Sequence, residues 1–434
     1  MLAQDIAGDW LGTLHAGPMD LRFLVHITRG TDGILTGTMD SLDQNAKGIP
    51  IRSIELKESK LTFALAAIHY EGTVNKDFTA IEGTFTQRES FPLNFKRAGT
   101  EVLAEPRRPQ NPTQPYPYRE EDLVYENRTA GIKLGATLTI PNRPGPFPAV
   151  ILITGSGQQD RDESLLGHKP FLVLADFLTR KGIAVLRSDD RGAGKSGGVF
   201  ATATTADFAT DTEAALAYLK TRREIDPHKI GLIGHSEGGV IAPMVAARSK
   251  DVAFVVLMAG PGVPGDQIIV AQTVAGGEAA GMPHEQAVQA GVKEREILDL
   301  LMKEKDEAVL KQKFKDLLGR QADVAYSQMT SPWYRYFLSY DPAPALRRLS
   351  CPVLAINGEK DTQVPPKLNL PAIREALQDG GNKHFEAVEI PGLNHLLQTA
   401  KTGAFREYGQ IEETISPSAL DKIGTWIAAT VFGR

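Results

Sequence analysis

Apolar and polar residues alternate with a period of two through much of the first hundred residues. Leu61-Thr62-Phe63-Ala64-Leu65 is the clearest run, and parts of Leu21 to Ile27 and Ile49 to Leu56 repeat it. Such alternation puts successive side chains on opposite faces of a half-buried strand. Glycine and aspartate break the runs at short intervals. Residues 1–100 are therefore expected to form hairpins that close into a small antiparallel barrel or sandwich. A Gly-Thr pair recurs at Gly12-Thr13, Gly37-Thr38, Gly72-Thr73 and Gly83-Thr84. Threonine suits a half-exposed strand, and glycine is expected there to permit the bend that a closing sheet needs. The spacing is too irregular for a solenoid repeat.

The pattern changes over residues 101–119. The stretch from Pro106 to Pro117, PRRPQNPTQPYP, holds too many prolines for a helix or a sheet and reads as an extended, semi-rigid linker. Beyond it, short apolar runs alternate with helical patterns. Strands are expected at Ala149 to Ile153, Ile183 to Leu186, Ile230 to Ile233, Ala253 to Met258, Val353 to Ile356 and Phe385 to Ile390. Helices are expected at Phe171 to Arg180, Ala206 to Lys220, Glu237 to Ala247 and Ala419 to Val431. Asp122 to Leu138 reads as an antiparallel pair leading in. Continuous apolar strands alternating with helices predict an α/β fold with a mostly parallel, doubly wound sheet covered on both faces. This domain takes residues 120–262 and 346–434. Residues 263–345 between them have helix formers and no strand period, and read as a helical cap insertion.

Composition narrows the partners. The 48 basic residues nearly balance the 53 acidic ones, which gives no electrostatic reason to expect nucleic acid or an anionic membrane surface. No run of about 18 apolar residues offers a membrane span. Cys351 is the only cysteine, so no internal disulfide forms, and the residue is expected to be a buried, inert thiol. The start MLAQD looks like the remainder after a small-residue cleavage site, so export to the periplasm or beyond is expected, with the cytoplasm as the alternative.

One stretch carries chemistry. In Ile230 to Pro243, IGLIGHSEGGVIAP, a strand pattern turns into a helix pattern around Gly234-His235-Ser236-Glu237-Gly238. A serine on so sharp a turn is held in a strained conformation, and glycines are needed two residues to each side. Its hydroxyl then projects beyond the sheet edge as a nucleophile, which needs a base and an orienting acid. Asp361, just past the Val353 strand, is the acid, with Glu359 the alternative in the same loop. His395, after the last strand and a Pro-Gly turn, is the base. His235 is expected to point away and pack.

An oxyanion hole needs two backbone N–H groups. Glu237, directly after the serine, is expected to give one, and the loop ILITGSGQQDRD the other, from Ser156 or alternatively Gln158. Asp160, Arg161, Asp162 and Arg191 are expected to form a network holding this loop, the alternative being surface ion pairs. Trp333, Tyr336, Phe337 and Tyr340 fall at helical spacing and make one aromatic face, which either packs the cap on the body or lines an acyl pocket. DDRGAGKSGG fails as a phosphate-binding loop because Asp189 occupies the first glycine position. No spacing of histidines or cysteines suggests a zinc site, so no metal is expected.

On these residues the chain resembles the α/β-hydrolase superfamily from about Asp122 to the C-terminus. Within it, the chain is similar to bacterial carboxylesterases related to serine aminopeptidases. GHSEGG at Gly234 to Gly239, the Asp189 to Gly198 loop, the Asp361 loop, GLNH ending at His395, and the GSGxxDRD-type loop at Gly155 to Asp162 carry the likeness. The N-terminal GDWLGTL resembles the start of the β-domain that precedes such hydrolases. The resemblance implies cofactor-free hydrolysis of small carboxylic esters with short acyl chains. A peptidase with the same triad is the alternative. For the β-domain three roles remain open: bracing the cap, joining copies into a homo-oligomer, or recognising a polysaccharide or cell-surface partner.

Overall fold

A computed structural model describes residues 5–16, 19–42, 46–65, 68–87, 89–99, 107–319 and 322–433. Of the start MLAQD only Asp5 is therefore described, and the linker is described only from residue 107 onward. The chain divides into two compact units. One comprises residues 1–108 with the short segments 165–168 and 405–412, and the other comprises residues 109–164, 169–404 and 413–434.

In the first unit, ten strands among the described residues form one antiparallel sheet. They are β1 (Gly8–Ala16), β2 (Met19–Arg29), β3 (Leu35–Ser41), β4 (Ala46–Pro50), β5 (Ser53–Lys57), β6 (Lys60–Leu65), β7 (Ile68–Val74), β8 (Ala80–Gln87), β9 (Glu89–Pro92) and β10 (Phe95–Arg97). Their order is β4-β3-β2-β1-β10-β8-β7-β6-β5, with β9 beside β8. The two ends of this path meet at neighbouring residues. The Ile51 N–H donates to the Gly37 oxygen on β3, and the Arg52 N–H donates to the Ala64 oxygen on β6. The alternation along β6 buries Leu61, Phe63 and Leu65, which join Trp10, Tyr70, Phe85 and Phe95 in the core.

The Gly-Thr glycines serve close approach rather than bending, and none of the four takes a positive φ. Gly72 and Gly83 face each other across β7 and β8, and the Tyr70 phenol lies against both where a Cβ would stand. At Gly37 a Cβ would overlap the His26 carbonyl oxygen. The two short later segments are held in this unit by polar contacts. The His168 Nε2 lies 2.9 Å from the Tyr408 carbonyl oxygen, and the Arg108 guanidinium donates to the carbonyls of Leu166, Gly409 and Ile411.

The second unit opens with the hairpin β11 (Tyr118–Asn127) and β12 (Ile132–Pro141), then β13 (Phe147–Ile153), α1 (Pro170–Arg180), β14 (Ala184–Ser188), α2 (Thr205–Leu219), β15 (Ile225–His235), α3 (Gly238–Ala246) and β16 (Val252–Met258). Six helices follow: α4 (Gly265–Ala279), α5 (His284–Lys303), α6 (Glu307–Leu318), α7 (Ala322–Met329), α8 (Pro332–Ser339) and α9 (Ala343–Arg347). The chain ends with β17 (Val353–Gly358), α10 (Pro366–Asp379), β18 (Phe385–Ile390) and α11 (Pro417–Phe432). The sheet order is β11-β12-β14-β13-β15-β16-β17-β18, antiparallel up to β14 and parallel from there on. Helix α10 has no counterpart in the sequence expectations. Its polar surface and internal Pro371 hide the buried stripe of Leu370, Ile373 and Leu377.

Both faces of this sheet are covered. Ile151 and Leu232 pack with α2, α3 and α10 on one side. Val150, Leu152 and Ile233 pack with α1 and α11 on the other. Each fully buried branched side chain contributes about 1.5–3 kcal/mol relative to exposure. The cap helices have a small core of their own, with Leu298, Leu301, Leu310, Phe314 and Leu338 buried together. Residues 109 onward of the linker are anchored rather than free. Gln110 accepts the N–H groups of Thr414 and Ile415 and donates to the Ile415 oxygen. Cys351 is half-buried rather than fully enclosed, and its burial pushes the thiol up to about 11.

Candidate active site

Strand β13 and its parallel neighbours all end on one edge of the sheet, and the turns and loops leaving that edge hold Ser236, Asp361, His395 and the Gly155 to Asp162 stretch. β15 stops at His235, and Ser236 follows with φ 52°. A non-glycine residue in this region carries strain of about 1–3 kcal/mol and persists only when its surroundings hold it. The Ser236 N–H donates to the Met258 oxygen at 2.9 Å, and the Gly239 N–H donates to the Ser236 oxygen at 2.8 Å. A Cβ at Gly234 would overlap the Gly238 carbonyl, and one at Gly238 would overlap the Ile153 carbonyl at the end of β13. The turn therefore has the steric form that its glycine spacing predicts.

Asp361 lies three residues past β17 and His395 five past β18. His395 Nδ1 stands 2.8 Å from Asp361 Oδ2. Both side chains are nearly sealed, the residues being 4% and 3% exposed. The other carboxylate oxygen of Asp361 accepts the N–H groups of Gln363 and Val364 at 2.9 and 2.8 Å. The acid is thus fixed before it meets the imidazole, and it directs the Nδ1 proton to itself, leaving Nε2 as the basic face. Glu359, the alternative acid, instead accepts the Gly392 N–H at 2.8 Å and braces the loop after β18.

His235 links the serine to this pair. Its ring does not simply pack away from the site, as its position in the motif suggests. Nδ1 lies 2.9 Å from Glu163 Oε1, and Nε2 lies 3.1 Å from the main-chain oxygen of His395. The two histidine rings are 4.8 Å apart between centroids. Ser236, Asp361 and His395 are therefore gathered at one edge. The Ser236 hydroxyl and the His395 ring form no hydrogen bond with each other here. Such contacts commonly tighten only when substrate binds.

The loop after β13 runs beside the elbow, and a Cβ on Gly155 would stand 3.2 Å from Ser236 Cβ. Two of its N–H groups are already engaged, Gly155 with Glu163 Oε1 at 2.7 Å and Gln159 with Asp190 Oδ2 at 2.8 Å. The N–H groups of Ser156 and Glu237 have no acceptor among the described residues. The Gln158 side chain turns to the Arg191 carbonyl at 2.9 Å. A cavity of about 50 Å³, lined in part by Thr154, Gly155, Asp190 and Glu237, lies under this loop.

Two acids sit here, Glu237 buried and Asp190 half-buried. Burial raises the Glu237 carboxyl, while donors from Thr205, Trp333 and Ser156 pull it back toward the charged form. The Thr205 hydroxyl and the Trp333 indole N–H reach Glu237 Oε1 at 2.7 and 2.8 Å. Burial pushes Asp190 up to about 7 against the pull of the Gln159 N–H and the Thr154 hydroxyl.

The charges around the loop do not form one network. Arg161 pairs with Asp189 and Asp122, Arg187 pairs with Asp162, and Arg191 pairs with Asp211. Asp160 accepts the N–H groups of Asp162 and Ser164. Arg161 and Arg191 are largely buried, so these are not simple surface pairs.

The aromatic face likewise splits into two stacked pairs, Trp333 with Phe337 and Tyr336 with Tyr340. Tyr336 and Tyr340 pack against the main core, whereas Trp333 reaches the residue after the serine. The side chains of Glu163 and Glu237 have roles here that their place in the sequence does not suggest. The available signal was a carboxylate set directly before the small, apolar run GGVIAPMVA, where only a buried partner makes an acid tolerable. Among the described residues no cluster of His, Cys, Asp or Glu could hold a metal, and no helix is long and apolar enough to cross a membrane.

A mostly parallel sheet, a strained serine between β15 and α3, and an acid and a histidine after later strands define an α/β-hydrolase. Residues 169–401, more than half of the chain, match the serine aminopeptidase family S33, and the chain belongs to that family of hydrolases. It is 27% identical over 317 residues to the esterase EstD of Thermotoga maritima, covering 72% of this chain and 68% of that protein. Among solved structures it is similar to a Pyrococcus furiosus esterase, Pf2001 (16% identity, TM-score 0.46, covering 76% of this chain and 98% of that one). It is also similar to Est1E of Butyrivibrio proteoclasticus with ferulic acid bound (20% identity, TM-score 0.43, 72% and 98%).

Proposed function

We propose that this enzyme hydrolyses small carboxylic esters with short acyl chains through Ser236, His395 and Asp361. The observation that carries the proposal is the sealed 2.8 Å bond from His395 to Asp361 on the sheet edge that bears the strained Ser236. Ser236 Oγ attacks the ester carbonyl while His395 Nε2 takes its proton. The carbonyl oxygen becomes an anion, received by the N–H groups of Glu237 and Ser156. The tetrahedral intermediate collapses, His395 returns the proton to the leaving alcohol, and an acyl-enzyme remains. Water, deprotonated by His395, then releases the acid and restores the serine. Asp361 holds the imidazole in the required tautomer and stabilises its cation.

Two features support an ester substrate held under the cap. EstD, at 27% identity, is an esterase, and the cap residue Trp333 bonds to the side chain of the residue after the nucleophile. The family match favours a second reading, peptide-bond cleavage by the same residues. Rates on p-nitrophenyl esters of increasing acyl length, set against aminoacyl-arylamides, separate the two. Ser236→Ala is expected to lower ester turnover by at least about 10⁴-fold with an unchanged circular dichroism spectrum. Retained turnover would refute the proposal.

A further inference from the structure

The mechanism above leaves one buried pair beside the site without a role. His235 and Glu163 are 5% and 4% exposed. The ring nitrogens of His235 face two oxygens, the Glu163 carboxylate at 2.9 Å and the main-chain carbonyl of His395 at 3.1 Å. A neutral imidazole has one N–H and one bare lone pair. In this setting the lone pair would point at an oxygen. A ring protonated on both nitrogens gives each oxygen a hydrogen bond with Glu163 as the buried counter-charge, whereas a neutral ring does so only if Glu163 itself carries the proton.

Two further observations agree. Glu163 itself sits at φ 53°, a strained conformation for a non-glycine residue that has to be held in place. The Glu163 oxygen bonded to His235 also accepts the Gly155 N–H at 2.7 Å. Burial pulls His235 toward its neutral form, but the Glu163 carboxylate, its hydrogen bond, the His395 carbonyl and Asp361 outweigh it and raise the ring. The titratable groups facing the ring are thus Glu163, Asp361 and His395 itself.

We propose that Glu163 and His235 form a buried carboxylate–imidazolium pair that acts as a positioning dyad, tying the oxyanion loop at Gly155 to the main chain that carries His395. The continuous path runs from the Gly155 N–H through Glu163 and His235 to the His395 carbonyl. It fixes the distance between the Ser156 N–H and the imidazole on loops that leave two different strands. No neutral side chain of similar size replaces His235 here, because the role requires two opposed N–H donors on one rigid ring. Neither residue touches substrate in this scheme. The positioning role rests on the assignment of Ser236 and His395 given above.

The test uses the full chain with nitrogen-15 in its histidines and the Ser236→Ala substitution, so that it needs no turnover. The His235 signals are assigned by their loss in His235→Gln. Both ring nitrogens are expected to be protonated at pH 8, and a spectrum showing one bare nitrogen would overturn the proposal. In otherwise native enzyme, Glu163→Gln keeps the size and the acceptor but removes the charge. It should give His235 a bare nitrogen at pH 8 and lower kcat roughly 10- to 100-fold, with KM within about twofold. An unchanged kcat beside a neutral His235 would overturn the positioning role. Absence of any hydrolase turnover in the native chain would remove that role together with the catalytic assignment, while the spectrum still decides the charge of the pair.

Discussion

Ser236 shows how much a single position depends on its neighbours. Its left-handed backbone is maintained by the bond from its N–H to Met258 and by glycines that let β13 and α3 close around it. A side chain at 238 has nowhere to go, because the obstacle is the Ile153 main chain and not a movable rotamer. Gly238→Ala is therefore expected to destabilise the protein by at least about 3 kcal/mol, seen as a lower urea midpoint or as loss of soluble protein. Ser236→Ala, by contrast, removes an oxygen from a site that already accommodates a Cβ. It should leave the midpoint unchanged or slightly raised, since strained functional residues are held at the expense of stability.

Helix α8 ties the cap to the chemistry. Its N-terminus is capped by Ser331, whose hydroxyl oxygen accepts the Tyr334 N–H, and Pro332 starts it without wasting a donor. Tyr334 packs into the cap core, while Tyr336 and Tyr340 pack on the body. Trp333 stacks on Phe337 and donates its indole N–H to Glu237. One short helix thus has a side chain in each environment. Trp333→Phe keeps the stack but leaves the buried Glu237 one donor short. It should lower stability by about 1–3 kcal/mol, read by thermal unfolding, and raise KM for esters more than it lowers kcat, because the loss falls on cap placement.

For the molecule as a whole, acid stability should reflect a histidine to which no catalytic role is assigned. His168 is fully enclosed in the first unit with its Nε2 on the Tyr408 carbonyl. Burial lowers it from 6.5 to about 4, against the raising effect of that carbonyl. The unfolded chain takes up a proton below pH 6.5 that the folded unit refuses. This contribution is fully present above about pH 6.5 and is lost progressively as the pH falls toward about 4. His168→Gln retains a donor for Tyr408 and has no charge to gain. Its urea midpoint should fall less steeply than that of the native chain between pH 6.5 and 4. Parallel slopes would show that other groups control this window. The same contact matters for the limits of the first unit, which takes in residues 165–168 and 405–412 from far along the chain.

Local order was readable from residue types. Period-two alternation is enough to mark β6, and continuous apolar runs mark β13, β16 and β17, because one strand face or two must leave water. The elbow was readable too, since glycine is the only residue that fits where main chain meets main chain. The order of serine, acid and histidine came from the resemblance to α/β-hydrolases, strand ends located the candidates, and Asp361 rather than Glu359 lies against His395. Long-range pairing was not readable. Glu163 meets His235 across 72 residues and Trp333 meets Glu237 across 96, and neither separation leaves a periodic trace. The Gly-Thr glycines were located without the reason for them, because the groups that fill their space, the Tyr70 ring at Gly72 and Gly83 and the His26 carbonyl at Gly37, take their places only once the strands pair. Local sequence sets which backbone shapes and which faces are favourable. Which buried charge meets which donor depends on strands being brought side by side, and that is fixed only once the core has packed.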